Sequence, residues 1–166
     1  MSSLQRRIVV TGMGIVSPLG CGVQHVWQSL LAGKSGIRSL PASIIEDIAC
    51  KVAGQVPGIE EDPRHGFDPL SVIPAKERKK MDRFIEFALV AAQEALHQAN
   101  WFPQLQALKD RTATIIATGI GGFTQIAEAV QTTEHRGPRK LSPFTIPSFL
   151  ANLAAGHVRS EEHTSE

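Results

Sequence analysis

Cysteine is scarce in this chain: only Cys21 and Cys50 stand among 166 residues. Two thiols make no disulfide framework and match no metal-ligand spacing, which sets aside small stapled domains and cysteine-held metal sites. Charge of one sign is equally lacking. Seventeen basic side chains against sixteen acidic ones leave a net charge of +1. That balance gives no global pull toward nucleic acid and confines any electrostatic role to local clusters. No stretch approaches the apolar length of a membrane span, about 18 residues or more. The N-terminal Met1-Ser-Ser-Leu-Gln-Arg-Arg7 carries cations, but the apolar run after it is short and broken by glycines, as in a first strand and not a secretory signal. No internal repeat is present. The expected setting is the cytoplasm, with reduced thiols and with neither membrane nor nucleic acid as partner.

What is there is an ordinary globular composition, 42% hydrophobic and 20% charged, long enough for one domain with a core. Ile8-Val-Val-Thr11 is a β-branched run and reads as a buried strand. From Val23 to Ala32, Val26, Trp27, Leu30 and Leu31 recur at helical spacing, and Gly33 is a suitable stop. Residues 35–74 are irregular, with one short strand expected near Lys51–Val56. A long helix is expected from Ala75 to Ala99, with an apolar stripe including Met81, Phe84, Ile85, Leu89 and Leu96. Its first turns carry Lys76, Arg78, Lys79, Lys80 and Arg83, cations that oppose the helix dipole and so mark a local inconsistency. Thr112–Thr118 reads as a central strand. Helices are expected from Phe123 to about Thr133 and from Pro147 to His157, the latter with Phe149, Leu150 and Leu153 inward. The alternation is that of an α/β fold, a mixed sheet covered by helices.

Three local patterns bear on chemistry. Gly12-x-Gly14 follows a strand, but the dinucleotide fingerprint needs a third glycine where Ser17 stands, and Pro18 follows; a structural turn is the better reading. Gly119-Ile-Gly-Gly122 suits a strand-to-helix turn. The run Gly137-Pro-Arg-Lys-Leu-Ser-Pro-Phe-Thr-Ile-Pro147 combines three prolines with two cations, a mixture that neither helix nor central strand accommodates. Apolar Phe144 and Ile146 inside it point to a surface built to meet something. The cation clusters at Lys76, Lys79, Lys80 and at Arg139, Lys140 read, on composition alone, either as solvated faces or as a docking patch. Neither cysteine has a base placed beside it by sequence, and none of the six histidines stands in a catalytic pattern.

The N-terminal Arg6-Arg-Ile-Val-Val-Thr-Gly-Met-Gly-Ile-Val-Ser-Pro-Leu-Gly20, the Lys79-Lys-Met-Asp82 segment, the Gly119–Gly122 cluster and the proline-rich run together resemble the β-ketoacyl-acyl carrier protein synthases, the type II elongating enzymes most closely. The resemblance runs to about Val158. It implies a thiolase-like fold of five alternating layers, αβαβα, of which this chain supplies most of the first half. It also implies acyl transfer without cofactor or metal: an acyl group is taken onto a cysteine at a helix N-terminus. Two histidines then assist decarboxylation of malonyl-carrier, and the carbanion attacks the thioester. The implied partners are acyl carrier protein, loaded with acyl or malonyl groups, and a second copy in a homodimer.

Residue by residue, the resemblance gives Ile120 as a gate at the mouth of the acyl pocket and Phe123 beside it, where a smaller leucine is frequent. Phe144 and Thr145 would line the neighbouring subunit's pocket, although Thr145 replaces the aromatic residue common there. Lys76, Lys79, Lys80, Arg139 and Lys140 would dock the carrier; Arg78 is an extra charge at a position often uncharged. The nucleophilic cysteine and both catalytic histidines fall beyond the last residue, so the catalytic set is expected to be absent and the chain inactive alone. The final Arg159-Ser-Glu-Glu-His-Thr-Ser-Glu166 departs from the family and matches in-frame translation of a common sequencing-adapter oligonucleotide. The expected organisation is a synthase portion over 1–158 with a non-native tail over 159–166. Helices from Ala75 and Pro147 are expected to leave apolar faces open. A non-catalytic chain-length-factor paralogue, a thiolase-like or polyketide ketosynthase and a short carrier-binding decoy stay open as alternatives.

Overall fold

The computed structural model describes residues 7–45 and 49–164. Helices dominate it. Val16–Ser17 (β1) and Gly20–Cys21 (β2) form a tight antiparallel hairpin, followed by Val23–Leu31 (α1). Ile37–Ser39 (β3) pairs antiparallel with Val52–Gly54 (β4), the strand expected near Lys51–Val56, with Ala42–Ile45 (α2) between them. Then come Ala75–Arg78 (α3), Arg83–Ala99 (α4), Gln106–Lys109 (α5), Phe123–Arg136 (α6), Thr145–Phe149 (α7) and Leu153–Thr164 (α8).

The core is the seam between α4 and α8. Met81, Ile85 and Leu89 pack with Ala154 and Val158, Ile73 closes one end, and Ile85 is wholly buried. The apolar stripe read from the sequence is therefore used, and α4 and α8 cover each other instead of lying open. This corrects the expectation that these two helices expose their apolar faces. At α1 the stripe is narrower than its spacing implied: Val26 and Ser29 are buried, while Trp27, Leu30 and Leu31 face outward.

The expected single helix from Ala75 is two helices. Asp82 interrupts it with extended backbone (ψ 158°), and its carboxylate accepts the Phe84 N–H to start α4 afresh, as an N-cap does. Its own N–H leaves the helical ladder and donates to the Ser148 carbonyl. Four of the five cations that opposed a helix dipole, Lys76 to Lys80, thus lie on or just after the short turn α3 and before α4 begins, and the inconsistency is largely removed. The helix expected from Pro147 also divides: Leu150 is extended (ψ 128°) between α7 and α8. Pro147 is the third residue of α7, in a first turn where its missing N–H costs nothing.

The two expected long strands do not form among the described residues. Ile8–Thr11 and Thr112–Thr118 carry no ladder, because a strand exists only where a neighbour receives its N–H and C=O groups. Thr112, Thr114 and Ile116 are half-covered while Ala113, Ile115 and Ala117 are exposed, the alternation of a strand with one face occupied. Ile116 packs on the core; Ile115 is 90% exposed and Ile8 95%.

Gly12 and Gly14 run directly over α4. A Cβ at either would overlap the Ala95 or Ala91 carbonyl oxygen. Alanines on that helix face and glycines on the crossing segment together allow backbone to approach backbone. Glu94 of α4 fixes the crossing: its carboxylate accepts the Ile15 N–H at 3.0 Å and the Val23 N–H, at the start of α1, at 2.7 Å. The glycine pair is a packing device, as the missing third glycine indicated.

Candidate functional site

Asp82 is the point from which the candidate site is built. Its buried carboxylate caps α4 and also accepts the Gln125 N–H, in the first turn of α6, at 3.1 Å. One carboxylate thereby meets the donor ends of two helices, where the dipoles favour negative charge. Gly122, just before α6, lies so close to Phe149 and to the Asp82 Cβ that no side chain would fit there, and its N–H donates to the Phe149 carbonyl at 3.1 Å. Asp82, the Gly119–Gly122 cluster and α7 are therefore one knot. The sequence reading did not single out Asp82 as a positioning residue. An aspartate immediately before a helical apolar stripe is the signal that would have found it.

The cations divide by what holds them. Arg78 donates to both carboxylate oxygens of the buried Glu86, at 2.7 and 3.3 Å, and this pair holds the Arg78 guanidinium above its ordinary pKa. The extra charge noted at Arg78 is thus spent inward, on a cleft of about 620 Å³ that Glu86 shares with Asp68, Met81 and Arg83. Lys80 donates to both Glu77 carboxylate oxygens, at 2.8 and 2.9 Å. Its hydrogen bond keeps the Glu77 carboxyl below its ordinary range. Lys76 and Lys79 are exposed and form no ion pair among the described residues.

The second cluster follows α6. Arg139 and Lys140 lie exposed on a 3-10 turn, Pro138–Lys140, that packs beside α6. His135 and Arg136 occupy the last turn of that helix. Cations there suit the negative end of the dipole. From the first cluster, the Lys80 ammonium stands 5.2 Å from the centre of the ring of Phe144, four residues after Lys140 in the chain. Lys140 and Thr145 line one cleft of about 190 Å³ against α6, with Gln125, Glu128 and Thr132.

The four residues expected at an acyl pocket do not close one cavity among the described residues. Ile120 is 71% exposed, Phe123 66% and Phe144 45%; Thr145 is half-covered. An apolar groove that the structure does show lies along α6, about 410 Å³ between Ile126, Val130 and Phe149. The Cys21 thiol is half-buried. Burial first, then the Glu94 and Asp62 carboxylates, pushes its thiol pKa up, the opposite of what a reactive thiolate needs. No group of three or more His, Cys, Asp or Glu side chains suited to a metal occurs among the described residues, and no described helix is long and apolar enough to cross a membrane.

The family model for the β-ketoacyl synthase N-terminal domain matches residues 5–162. The chain belongs to the β-ketoacyl synthase family. Among curated relatives, 3-oxoacyl-acyl-carrier-protein synthase 2 of Rhizobium meliloti is 42% identical over 154 residues, covering 92% of this chain and 36% of the relative. The mitochondrial 3-oxoacyl-acyl-carrier-protein synthase of Arabidopsis thaliana is 38% identical over 169 residues, covering 92% and 35%. The chain therefore spans about a third of the length of these relatives. Among solved structures, a β-ketoacyl synthase from Burkholderia phymatum superposes with a TM-score of 0.74 at 22% identity, over 95% of this chain and 37% of that one. A type II PKS ketosynthase in complex with its acyl-carrier protein gives 0.70 at 19% identity, over 97% and 40%. The fold is the ketosynthase, thiolase-like α/β fold, in part and rich in helix.

Proposed function

We propose that this chain is the carrier-docking, acyl-site portion of a 3-oxoacyl-acyl-carrier-protein synthase of fatty acid elongation. The whole enzyme would condense an acyl group held on its cysteine with malonyl-carrier, with loss of carbon dioxide. What supports the reading is the Lys80–Phe144 contact, which ties, as a candidate patch, the turn carrying Lys76 and Lys79 to the segment that follows Arg139 and Lys140, with α7 bonded in turn to Gly122, two residues after Ile120. An acidic carrier would be steered to such a patch without tight binding, since local positive fields raise encounter rates about 10-fold or more. The exposed Ile120, Phe123 and Phe144 would become the acyl-pocket wall once further chain and a second subunit cover them. A methylene buried there gains about 0.8 kcal/mol. The nucleophile and the two histidines of the family's chemistry have no counterpart in these 166 residues, so the reading assigns this polypeptide recognition and not turnover.

The test is titration of the isotope-labelled 166-residue chain with acyl-loaded carrier protein, beside a mass-spectrometric elongation assay. Amide shifts at Lys76, Lys79, Arg139 and Lys140 that weaken with salt are expected. Charge reversal at Lys79 and Arg139 together should lower affinity by about 10-fold or more. No elongation product should form. Shifts that ignore salt or avoid both clusters would refute the docking surface, and turnover would refute the division of roles.

A further inference from the structure

We propose that Lys80 is a latch that relays docking of a carboxylate-bearing partner to Phe144 and, through α7, to the Ile120 segment. This rests on the docking reading above and adds to it a moving part. The Lys80 ammonium is divided between two weak holds: the Glu77 carboxylate at 2.8 Å and the Phe144 ring at 5.2 Å. Both partners are part-exposed, with 40% of the Glu77 side chain and 45% of Phe144 open to solvent. Exposed ion pairs and exposed cation–π contacts are the most easily exchanged of charged interactions. An incoming carboxylate offers Lys80 a replacement for Glu77 at little net change. The neighbours on the same turn, Lys76 and Lys79, are the exposed cations that would bring such a carboxylate within reach.

What Lys80 lets go matters more than what it takes. Among the described residues no other ring or cation faces the Phe144 ring. Phe144 caps α7: its N–H donates to Ser142 Oγ and its carbonyl accepts the Ser148 N–H. Five residues form that helix, and its last carbonyl, at Phe149, accepts the Gly122 N–H two residues after Ile120. Movement at Phe144 is therefore passed along one short helix to the glycine cluster. Gly121, with φ +79°, is a backbone position able to absorb it. Arg78 plays no part, because its guanidinium is held by the buried Glu86.

The experiment places 4-fluorophenylalanine at position 144 alone in the 166-residue chain and titrates it with acyl carrier protein. The fluorine signal is followed together with the backbone amides of Lys79 and Lys140. The latch requires the fluorine resonance to move with the same midpoint as the amides. Lys80→Gln should start near the carrier-bound position and move far less, while Lys80→Arg should behave like the parent chain. Amide shifts with a stationary fluorine signal would overturn the latch and leave docking intact. Absence of any shift at millimolar carrier would overturn both. A Lys80→Gln protein whose fluorine signal still moves as far as the parent's would assign the motion to another group and overturn the latch.

Discussion

At the scale of the residue, Asp82 carries more of the architecture than any group the sequence advertised. It satisfies donors at the start of two helices, and its own N–H anchors α7 through Ser148. Replacing it with alanine removes an N-cap, about 1 kcal/mol, and leaves the half-buried Gln125 N–H without its charged acceptor, about 1.5–3 kcal/mol. Asp82→Ala should therefore cost about 2–4 kcal/mol in denaturant unfolding, with Asp82→Asn recovering part of it. A loss no larger than that of an exposed surface substitution would show that the α4–α6 junction is held by packing alone.

At the scale of the element, the break between α3 and α4 shows what periodicity can and cannot tell. The stripe from Met81 to Leu96 was legible because it is a local, 3.6-residue pattern, and Ile85 and Leu89 are buried as it implied. The interruption was not, because the Asp82 N–H is drawn away by Ser148, a residue far off in sequence. The misplaced cations were legible as an anomaly, and their resolution needed the structure: Arg78 turns to Glu86 and Lys80 to Glu77. The Glu77 pair has a signature in pH. Its carboxyl is held below the ordinary glutamate value, chiefly by the Lys80 hydrogen bond, so its ionised form is favoured in the folded chain. The stabilisation is present above the ordinary value and fades as pH falls through the depressed folded value. A carboxyl-carbon titration should place the Glu77 midpoint below that of a free glutamate, and Lys80→Gln should bring it back up. A midpoint at or above the ordinary value in the parent chain would contradict the pairing.

At the scale of the whole molecule, the family was legible and the sheet was not. Glycine clusters, the proline-rich run and the lysine pair are local signatures that survive in any short stretch of sequence. A strand depends on a neighbour, and Ile8–Thr11 and Thr112–Thr118 find none among the described residues. The site was legible in part: the sequence marked the two cation clusters, but gave no hint that Arg78 is turned to the buried Glu86. The proposed division at Val158 has its own consequence. Val158 is the last residue described as buried, although the family match runs to residue 162. Deleting residues 159–166 should change stability by no more than about 0.5 kcal/mol, as for surface changes that touch no core group. A larger loss would show that the last turns of α8 support the α4–α8 seam.

The unpaired strands bear on the behaviour of the molecule in solution. Ile8, Val9, Val10 and Ile115 present apolar side chains on segments that have no backbone partner among the described residues, and Trp27, Leu30 and Leu31 add a second apolar face on α1. An apolar segment with open N–H and C=O groups is the arrangement that invites edge-to-edge pairing, and contiguous apolar surface drives association. The 166-residue chain should therefore self-associate as its concentration rises. Placing charge on the open faces, with Val10→Lys and Ile115→Lys, should reverse this without touching the α4–α8 seam. Sedimentation velocity across a hundredfold concentration series decides it. A parent chain that sediments as a single monomeric species throughout would mean that these segments are satisfied in solution. Association that persists unchanged in the double-lysine variant would place the sticky surface on α1 instead.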